Sequence, residues 1–183
     1  MKLSRPSYRD IPLYLPSKGP ACAIDLSDNT NLFGVPPTAE RALREVGAEC
    51  LARYPSAYGS ALKGAIAGYA GCAPEQVVTG CGSDDVIDCT LRAFAGPGER
   101  VAFADTTFVM LPIYARTNGL EPVAVPLTLD GDLDAEAMLA TKARVLYLCT
   151  PNNPTGTPAS RAAVQRVLDG APGLVVIDEA CAR

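Results

Sequence analysis

The sequence contains no histidine among its 183 residues. This absence excludes Ser-His-Asp catalysis, Cys-His catalysis and zinc sites with histidine ligands. Any chemistry must therefore depend on carboxylates, lysines, tyrosines, thiols or a bound cofactor.

The sequence also lacks an excess of positive charge and any long apolar run. The formal net charge is −4, so no basic face is expected for nucleic acid. No apolar run approaches the ~20 residues that a membrane span requires. The N-terminal residues MKLSRPSYRD lack the apolar segment of a signal peptide. We therefore expect neither a nucleic-acid nor a membrane partner.

The seven cysteines are odd in number, scattered along the chain and nowhere spaced as CxxC. This pattern argues against a disulfide framework or a zinc site. Together with the missing signal, it predicts reduced thiols, most of them small core residues, in a cytoplasmic protein.

The first part of the chain has little regular pattern. Residues 1–37 are rich in Pro, Asn, Ser and Asp, which predicts an irregular N-terminal arm. Residues 36–50 then predict a helix with Thr38 as its N-cap, and residues 60–71 predict a second helix.

From residue 76 the pattern changes to short apolar segments that alternate with helical ones. Strands are predicted at 76–80, 100–105, 121–127, 143–150 and 173–180, with helices at 83–94, 107–119, 133–141 and 160–170. This alternation predicts an α/β fold in three layers, α/β/α, with a mostly parallel sheet. We expect residues 38–183 to form part of one large domain.

Polar residues follow four of these predicted strands. The segments are TGCGSDD (79–85), ADTTF (104–108), CTPNNPTG (149–156) and IDEA (177–180). Because ligands of such sheets bind beyond the carboxyl ends of the strands, these segments are the candidate site.

The first segment favours an anion. Gly80 and Gly82 precede a helix start at Ser83, where free backbone N–H groups and the helix dipole attract a phosphate. Alternatively, Ser83 is only an N-cap. A dinucleotide fingerprint is a further alternative because Asp105 ends the next strand, but Asp85 occupies the third glycine position and would crowd a pyrophosphate.

Asp178 and Phe108 each allow two interpretations. A carboxylate at the end of an apolar strand is costly to bury without a cationic partner, so Asp178 is either a local cap or metal ligand or the partner of a bound cation. Phe108 is either a core residue or a platform for a flat ring held by Asn153 and Asp178.

The segments resemble, in order and spacing, the pyridoxal-phosphate aminotransferases of fold type I, and most closely the histidinol-phosphate aminotransferases. The matching segments are YPSAYGS, TGCGSDDVI, TFVM, CTPNNPTG and VIDEA. The arm resembles that family too, through YLPS followed by IDLSDNTNLFG. The resemblance implies a pyridoxal 5'-phosphate cofactor and amino transfer between L-glutamate and an imidazole-bearing oxo phosphate.

The resemblance also implies a role for each matching residue. Gly82, Ser83 and Asp84 would hold the cofactor phosphate, chiefly through backbone amides. Phe108 would stack on the pyridine ring, Asn153 would hydrogen-bond its phenolic oxygen, and Asp178 would pair with its protonated nitrogen. A protein carboxylate there favours the charged ring, which is the electron acceptor that transamination needs. Related enzymes have a cis proline at this turn, so Asn153–Pro154 is expected to be cis.

The resemblance implies roles for three further residues, one at the cofactor of a neighbouring subunit and two near the substrate. Tyr54 would reach the cofactor phosphate of a neighbouring subunit, which implies a homodimer with shared sites. Tyr14 and Asn31 would lie near the substrate, a small amino donor or an oxo acid.

The sequence departs from the family pattern at several positions. Cys181 replaces a tyrosine that usually follows Asp-Glu-Ala and binds the phenolic oxygen, and a thiol is a poorer donor. Thr30 and Leu32 replace a glutamate and a proline of the arm, and Thr106 replaces a proline.

The largest departure is the missing Schiff-base lysine, which the family has roughly 25–30 residues beyond the aspartate. The lysines of this chain are Lys2, Lys18, Lys63 and Lys142, and none matches that position. We therefore expect an N-terminal portion, truncated before the C-terminal small domain, that contains no catalytic lysine and is inactive alone. The alternatives are another fold type I aminotransferase or decarboxylase, a Rossmann-type nucleotide-binding domain, and a non-catalytic remnant.

Overall fold

The computed structural model describes Tyr8, Ile11, Asn31 and residues 33–56 and 59–182. The chain separates into two compact units. We call residues 13–77 the helical unit, and residues 1–12 together with 78–183 the sheet unit. The expectation of an arm over 1–37 stays a prediction, since most of those residues lie outside the described ones.

The helical unit contains three helices, α1 (Pro37–Arg44), α2 (Ala48–Leu51) and α3 (Ser60–Ala70), followed by a 3₁₀ turn at Pro74–Gln76. The prediction of one helix over 36–50 with Thr38 as its N-cap is wrong. Pro36 is the N-cap, and the helix stops before Gly47, whose extended backbone (ψ 155°) starts α2 instead. Proline suits the first position of a helix and glycine weakens a helix interior, so these residues set both ends of α1.

The sheet unit alternates helices and strands, as predicted from residue 82 onward. The elements are α4 (Gly82–Phe94), β1 (Arg100–Ala104), α5 (Met110–Thr117), β2 (Glu121–Val125), α6 (Ala135–Ala140), β3 (Val145–Cys149), α7 (Arg161–Gly170) and β4 (Leu174–Asp178). The strands pair in the order β2-β1-β3-β4, and every pairing is parallel. The predicted parallel α/β architecture is confirmed.

The predicted strand at 76–80 does not form. Val77 is buried but Val78 is 75% exposed, and the segment after the 3₁₀ turn is irregular. A strand requires backbone hydrogen bonds to a neighbour, and none of the four described strands pairs with this segment. The segment therefore has the apolar pattern of a strand but no neighbouring strand to pair with among those described.

Two apolar clusters cover the two faces of the sheet. One cluster, which we call the α4/α5 face, joins these helices to alternate strand residues: Ile87, Leu91, Leu111, Ala115, Val101, Phe103, Val145 and Tyr147. The other, the α6/α7 face, joins Met138 and Val167 to the intervening strand residues. Successive strand residues point to opposite faces, so the alternation builds the expected three layers.

Most of the described cysteines are not core residues, contrary to expectation. Of these six, four are exposed and two are partly buried, and Cys149 packs against the cluster of the α4/α5 face. Several lie at helix starts or on solvent-facing helix positions, such as Cys81 before α4 and Cys89 within it. No helix in the described part of the chain is both long enough and apolar enough to cross a bilayer.

Candidate functional site at the carboxyl edge of the sheet

The ends of β1, β3 and β4 lie at one edge of the sheet because the three strands are parallel. The last residues of these strands are Ala104, Cys149 and Asp178. Loops leave the sheet at this edge, and open α/β sheets bind ligands there. Three of the four polar segments predicted from sequence therefore share one edge.

The start of α4 lies at the same edge. At the other end of this helix, the Phe94 carbonyl accepts a hydrogen bond from Nε of Arg144 at 3.0 Å, and Arg144 immediately precedes β3. The helix therefore ends at the amino edge of the sheet. Its 13 residues rise about 20 Å, which spans the length of a five-residue strand and returns Gly82 to the carboxyl edge.

The first turn of α4 has unpaired backbone donors. Cys81 is the N-cap residue and its side chain makes no capping hydrogen bond. Among the described residues, none accepts a hydrogen bond from the backbone N–H groups of Gly82, Ser83 or Asp84. Gly82 has φ +78°, a left-handed backbone that a glycine adopts readily. This combination of free N–H groups and helix dipole suits an anion.

The two acidic residues of this turn are engaged elsewhere. Oδ2 of Asp85 accepts the backbone N–H of Cys81 at 2.9 Å, and this hydrogen bond is the main reason that the pKa of Asp85 is lowered. The Asp84 carboxylate interacts with Tyr114 on α5. The pKa of Tyr114 is raised to about 12, mainly because the side chain is partly buried and secondly because of this contact with Asp84. Asp85 thus ties down the loop before the helix, a role that the sequence analysis missed.

Phe108 lies in the loop between β1 and α5. It precedes the helix, which starts at Met110, and is therefore not the helical residue that the sequence predicted. The side chain is partly buried and packs against the cluster of the α4/α5 face. It is thus a core contact on one side, while its remaining surface lies at the carboxyl edge.

The turn after β3 contains two cis peptide bonds, Thr150–Pro151 and Asn153–Pro154. The second confirms the sequence expectation. Asn152, which the sequence analysis passed over, is buried at this turn and fully engaged. Its Nδ2 donates to the Thr106 carbonyl at 2.7 Å, and its Oδ1 accepts from the Thr107 hydroxyl at 2.9 Å. Asn152 therefore fastens the exit of β3 to the exit of β1.

The neighbouring Asn153 behaves differently. Its side chain is partly buried, and no group among the described residues hydrogen-bonds its amide. One of the two adjacent asparagines thus has a structural role, and the other carries an amide that remains free to bind a ligand. The unpaired amide belongs to the residue that the sequence singled out.

Asp178 ends β4 with its carboxylate held at both oxygens. Oδ1 accepts the backbone N–H of Ala180 at 2.9 Å, and Oδ2 accepts a hydrogen bond from the hydroxyl of Tyr147. Tyr147 lies in β3, is 1% exposed, and was not predicted as a site residue. The only sequence signal was its place two residues before the strand end, on the same strand face as Cys149.

These features share a face as well as an edge. Tyr147, Phe108 and the apolar side of α4 all belong to the α4/α5 cluster, and so does Val176, which precedes Asp178 on the same side of β4. The start of α4, the Phe108 ring and the Asp178 carboxylate therefore lie at the same edge and on the same face of the sheet, a region that we call the corner of the sheet unit. An anion-binding helix start, a flat apolar ring, a free amide and a carboxylate suit a flat, cationic heterocycle with a phosphate.

Three further candidates were predicted from sequence: Tyr14, Tyr54 and Asn31. Tyr14 is not among the described residues, and Tyr54 and Asn31 belong to the helical unit. Tyr54 is fully exposed. The Asn31 amide is used locally, because Nδ2 donates to the Gly34 carbonyl at 3.1 Å and Oδ1 accepts from the Phe33 N–H at 3.0 Å. The roles of these three residues stay predictions.

Within the described residues of the sheet unit, no lysine lies at this corner. Lys142 is exposed just before β3, at the amino edge and therefore opposite the site, as expected from sequence. Lys63 lies within α3 of the helical unit.

The fold and the site together define a parallel α/β protein with a ligand site at the carboxyl edge of its sheet. Residues 22–182 match the family model described as aminotransferase class I and II. The chain belongs to this family. The identification confirms the resemblance inferred from sequence and excludes the Rossmann-type nucleotide-binding domain as its family.

The chain is similar to aminotransferases that are named for two different substrates. It is 40% identical to the histidinol-phosphate aminotransferase of Ruegeria pomeroyi and 37% identical to the aromatic amino acid aminotransferase of Rhodococcus jostii. Each comparison covers 97% of this chain and 51% of the relative. The chain therefore spans about half the length of the curated relatives it matches.

A solved structure is similar as well. The histidinol-phosphate aminotransferase of Sinorhizobium meliloti, in complex with pyridoxal-5'-phosphate, superposes with a TM-score of 0.74 at 27% identity. The superposition covers 81% of this chain and 41% of that one. That relative binds the cofactor predicted here from sequence.

Proposed function

We propose that this chain is the cofactor-binding portion of a pyridoxal-phosphate-dependent aminotransferase of the histidinol-phosphate type. The complete protein would pass an amino group between L-glutamate and an imidazole-bearing oxo phosphate. The observation that carries the proposal is the shared corner of the sheet unit, where the uncapped start of α4 lies on the same edge and face as Asp178.

The residues of this corner match the parts of the cofactor one by one. The N–H groups of Gly82, Ser83 and Asp84 bind the phosphate, as the unpaired donors of a helix start do. Phe108 packs against the ring, and the Asn153 amide donates to the phenolic oxygen. Bound pyridoxal phosphate supplies an electron acceptor for the substrate carbon.

Asp178 holds a proton on the ring nitrogen. Its carboxylate is partly buried and anchored at both oxygens, so it presents a fixed negative charge. Such a charge favours the cationic form of a nearby nitrogen base. The carboxylate thereby gains the cationic partner that a strand-end aspartate otherwise lacks.

Cofactor binding by this chain can be measured by equilibrium dialysis with pyridoxal phosphate. Asp178→Asn should weaken binding about 10- to 100-fold, since it removes a charged hydrogen bond worth about 1.5–3 kcal/mol. Asp169→Asn is the matched control, because Asp169 is exposed near the end of α7 at the opposite edge. Equal affinity of the wild type and Asp178→Asn would refute the assignment.

We expect this chain not to form a Schiff base with pyridoxal phosphate, because none of its four lysines matches the family position and Lys142 lies at the opposite edge of the sheet. After incubation with pyridoxal phosphate and borohydride, mass spectrometry should find no stoichiometrically labelled lysine. Specific labelling of any one lysine would contradict this expectation.

The substrate is proposed from the arm segment and from the 40% identity to the Ruegeria pomeroyi enzyme. Aromatic amino acid transamination is the second candidate, because the Rhodococcus jostii relative matches over the same share of this chain. A chimera that joins this chain to the C-terminal half of the Ruegeria pomeroyi enzyme, with L-glutamate as donor, should prefer the imidazole-bearing oxo phosphate. Preference for an aromatic oxo acid would favour the second candidate.

The complete enzyme is further proposed to be a cytoplasmic homodimer. Tyr54 of one subunit would reach the cofactor phosphate of the other, in keeping with its full exposure in this chain. In a dimeric chimera, Tyr54→Phe should weaken cofactor affinity, whereas an unchanged affinity would remove Tyr54 from the site.

A further inference from the structure

We propose that Tyr147 is a positioning residue, whose hydroxyl holds the Asp178 carboxylate in the orientation that receives a protonated ring nitrogen. The proposal rests on the proposed function of the site. It concerns a residue that contacts the carboxylate and acts on a ligand only through it.

The sheet register places the two residues for this contact. Tyr147 pairs with Val176 of the neighbouring strand, and Cys149 pairs with Asp178. Asp178 is therefore the diagonal neighbour of Tyr147, two residues further toward the carboxyl edge. A tyrosine is long enough to bridge this separation. Its hydroxyl donates to Oδ2, while the N–H of Ala180 donates to Oδ1.

Two hydrogen-bond donors fix the orientation of the Asp178 carboxylate, which a single donor would leave free to rotate. With only the Ala180 N–H at Oδ1, the carboxylate could rotate about the bond to its Cβ. The Tyr147 hydroxyl anchors the second oxygen and is itself immobile, since the ring is 1% exposed within the α4/α5 cluster. The remaining acceptor positions of both oxygens are then held in constant directions.

Tyr147 also remains a donor under all ordinary conditions. Burial, followed by the contact with Asp178, raises the pKa of Tyr147 far above its usual range. The hydroxyl therefore keeps its proton and continues to donate to Oδ2 of Asp178. A buried phenol needs some partner, and here its partner is the carboxylate proposed to face the ring nitrogen.

This arrangement has a consequence for the proton shared between Asp178 and a ring nitrogen. A carboxylate held at both oxygens keeps its negative charge directed at the nitrogen, and a nearby negative charge favours the protonated ring. Without the hydroxyl, the carboxylate would turn away from the nitrogen for part of the time and would support the proton on the ring less well. The expected signature is a change in the ring-nitrogen signal, which a packing role would not cause.

The first experiment uses the chain without cofactor and compares the wild type with Tyr147→Phe, which keeps the buried ring. Side-chain NMR on aspartate-labelled protein should show one Asp178 rotamer in the wild type and rotamer averaging in the variant. Tyr114→Phe is the matched control, because it removes a partly buried hydroxyl that interacts with a different carboxylate, that of Asp84. An unchanged Asp178 rotamer in Tyr147→Phe would overturn the proposal.

The second experiment adds ¹⁵N-labelled pyridoxal phosphate. Tyr147→Phe should shift the ring-nitrogen resonance toward the neutral pyridine position and weaken binding about 5- to 10-fold, the loss expected for one hydrogen bond. In the Asp178→Asn background, Tyr147→Phe should cause almost no further loss, because Tyr147 acts through Asp178. Additive losses, or an unmoved nitrogen resonance, would show a packing role instead.

The two experiments separate failure of this proposal from failure of the proposed function. If the wild type does not bind pyridoxal phosphate, the proposed function of this chain fails, while the cofactor-free rotamer comparison still decides whether Tyr147 positions Asp178. If the wild type binds and the rotamer is unaffected by Tyr147→Phe, the positioning role alone is refuted.

Discussion

Replacing Asn152 by alanine should destabilise the sheet unit more than the same change at its neighbour. The Asn152 side chain makes three hydrogen bonds, to the Thr106 carbonyl (2.7 Å), the Thr107 hydroxyl (2.9 Å) and the Thr155 hydroxyl (3.1 Å). A net value of about 0.5–1.5 kcal/mol for each bond gives a loss of about 1.5–4.5 kcal/mol in the free energy of unfolding. Part of this loss comes from the Thr106 carbonyl, which is left without its partner.

Asn153→Ala is the control within the same turn. The Asn153 amide has no hydrogen-bond partner among the described residues, so its removal should change the free energy of unfolding by less than about 0.5 kcal/mol. Urea unfolding followed by circular dichroism measures both midpoints, and only the Asn152 variant should shift. Equal losses from the two variants would refute the division of roles between the asparagines.

Three other changes test the fold and its electrostatics. Gly173→Ala should prevent stable folding, because an added Cβ would lie 2.1 Å from the backbone carbonyl oxygen of Arg144; the yield of soluble protein and its melting temperature check this, and a wild-type melting temperature would contradict it. Gly64→Ala, inside α3 with open space around it, should stabilise the chain by about 0.5–1 kcal/mol in the same melting assay, and a loss would contradict the helix assignment. Asp132 should contribute to stability above about pH 4 and lose that contribution as the pH falls further, because its pKa is lowered mainly by the hydrogen bonds from Ser160. Asp132→Asn should therefore flatten the acid limb of the stability profile, and an unchanged limb would exclude this role.

Most of the secondary structure of the sheet unit follows from its apolar pattern. The strand at 100–105 was predicted from RVAFAD and is observed as Arg100–Ala104, because its residues are buried on both faces and a continuous apolar run reports that burial. The segment at 76–80 has a similar composition and forms no strand, since pairing depends on a neighbour that the segment's own sequence does not specify.

Site residues were predictable from sequence where their position at a strand exit was enough to identify them. Residues that matter through a contact with a distant part of the chain were not predictable. Asp178 and Asn153 stand at strand exits, which the alternation of elements reveals directly. Tyr147 and Asn152 depend on sheet register and on contacts to a different loop, 31 and 46 residues away along the chain. Periodicity gives the face of a residue, but not the side chain that it meets across the sheet.

The unpaired polar groups at this corner are themselves informative. Among the described residues, no buried side-chain nitrogen or oxygen lacks a hydrogen-bond partner. The free amide of Asn153 is therefore open to water rather than sealed in the core, and the N–H groups at the start of α4 belong to exposed residues. Asn152, Asp85 and Tyr147 already use their own polar groups to hold the loops and the carboxylate beside them. A ligand at this corner consequently replaces water at donors that the protein keeps in place, so little of its binding free energy is needed to order the site.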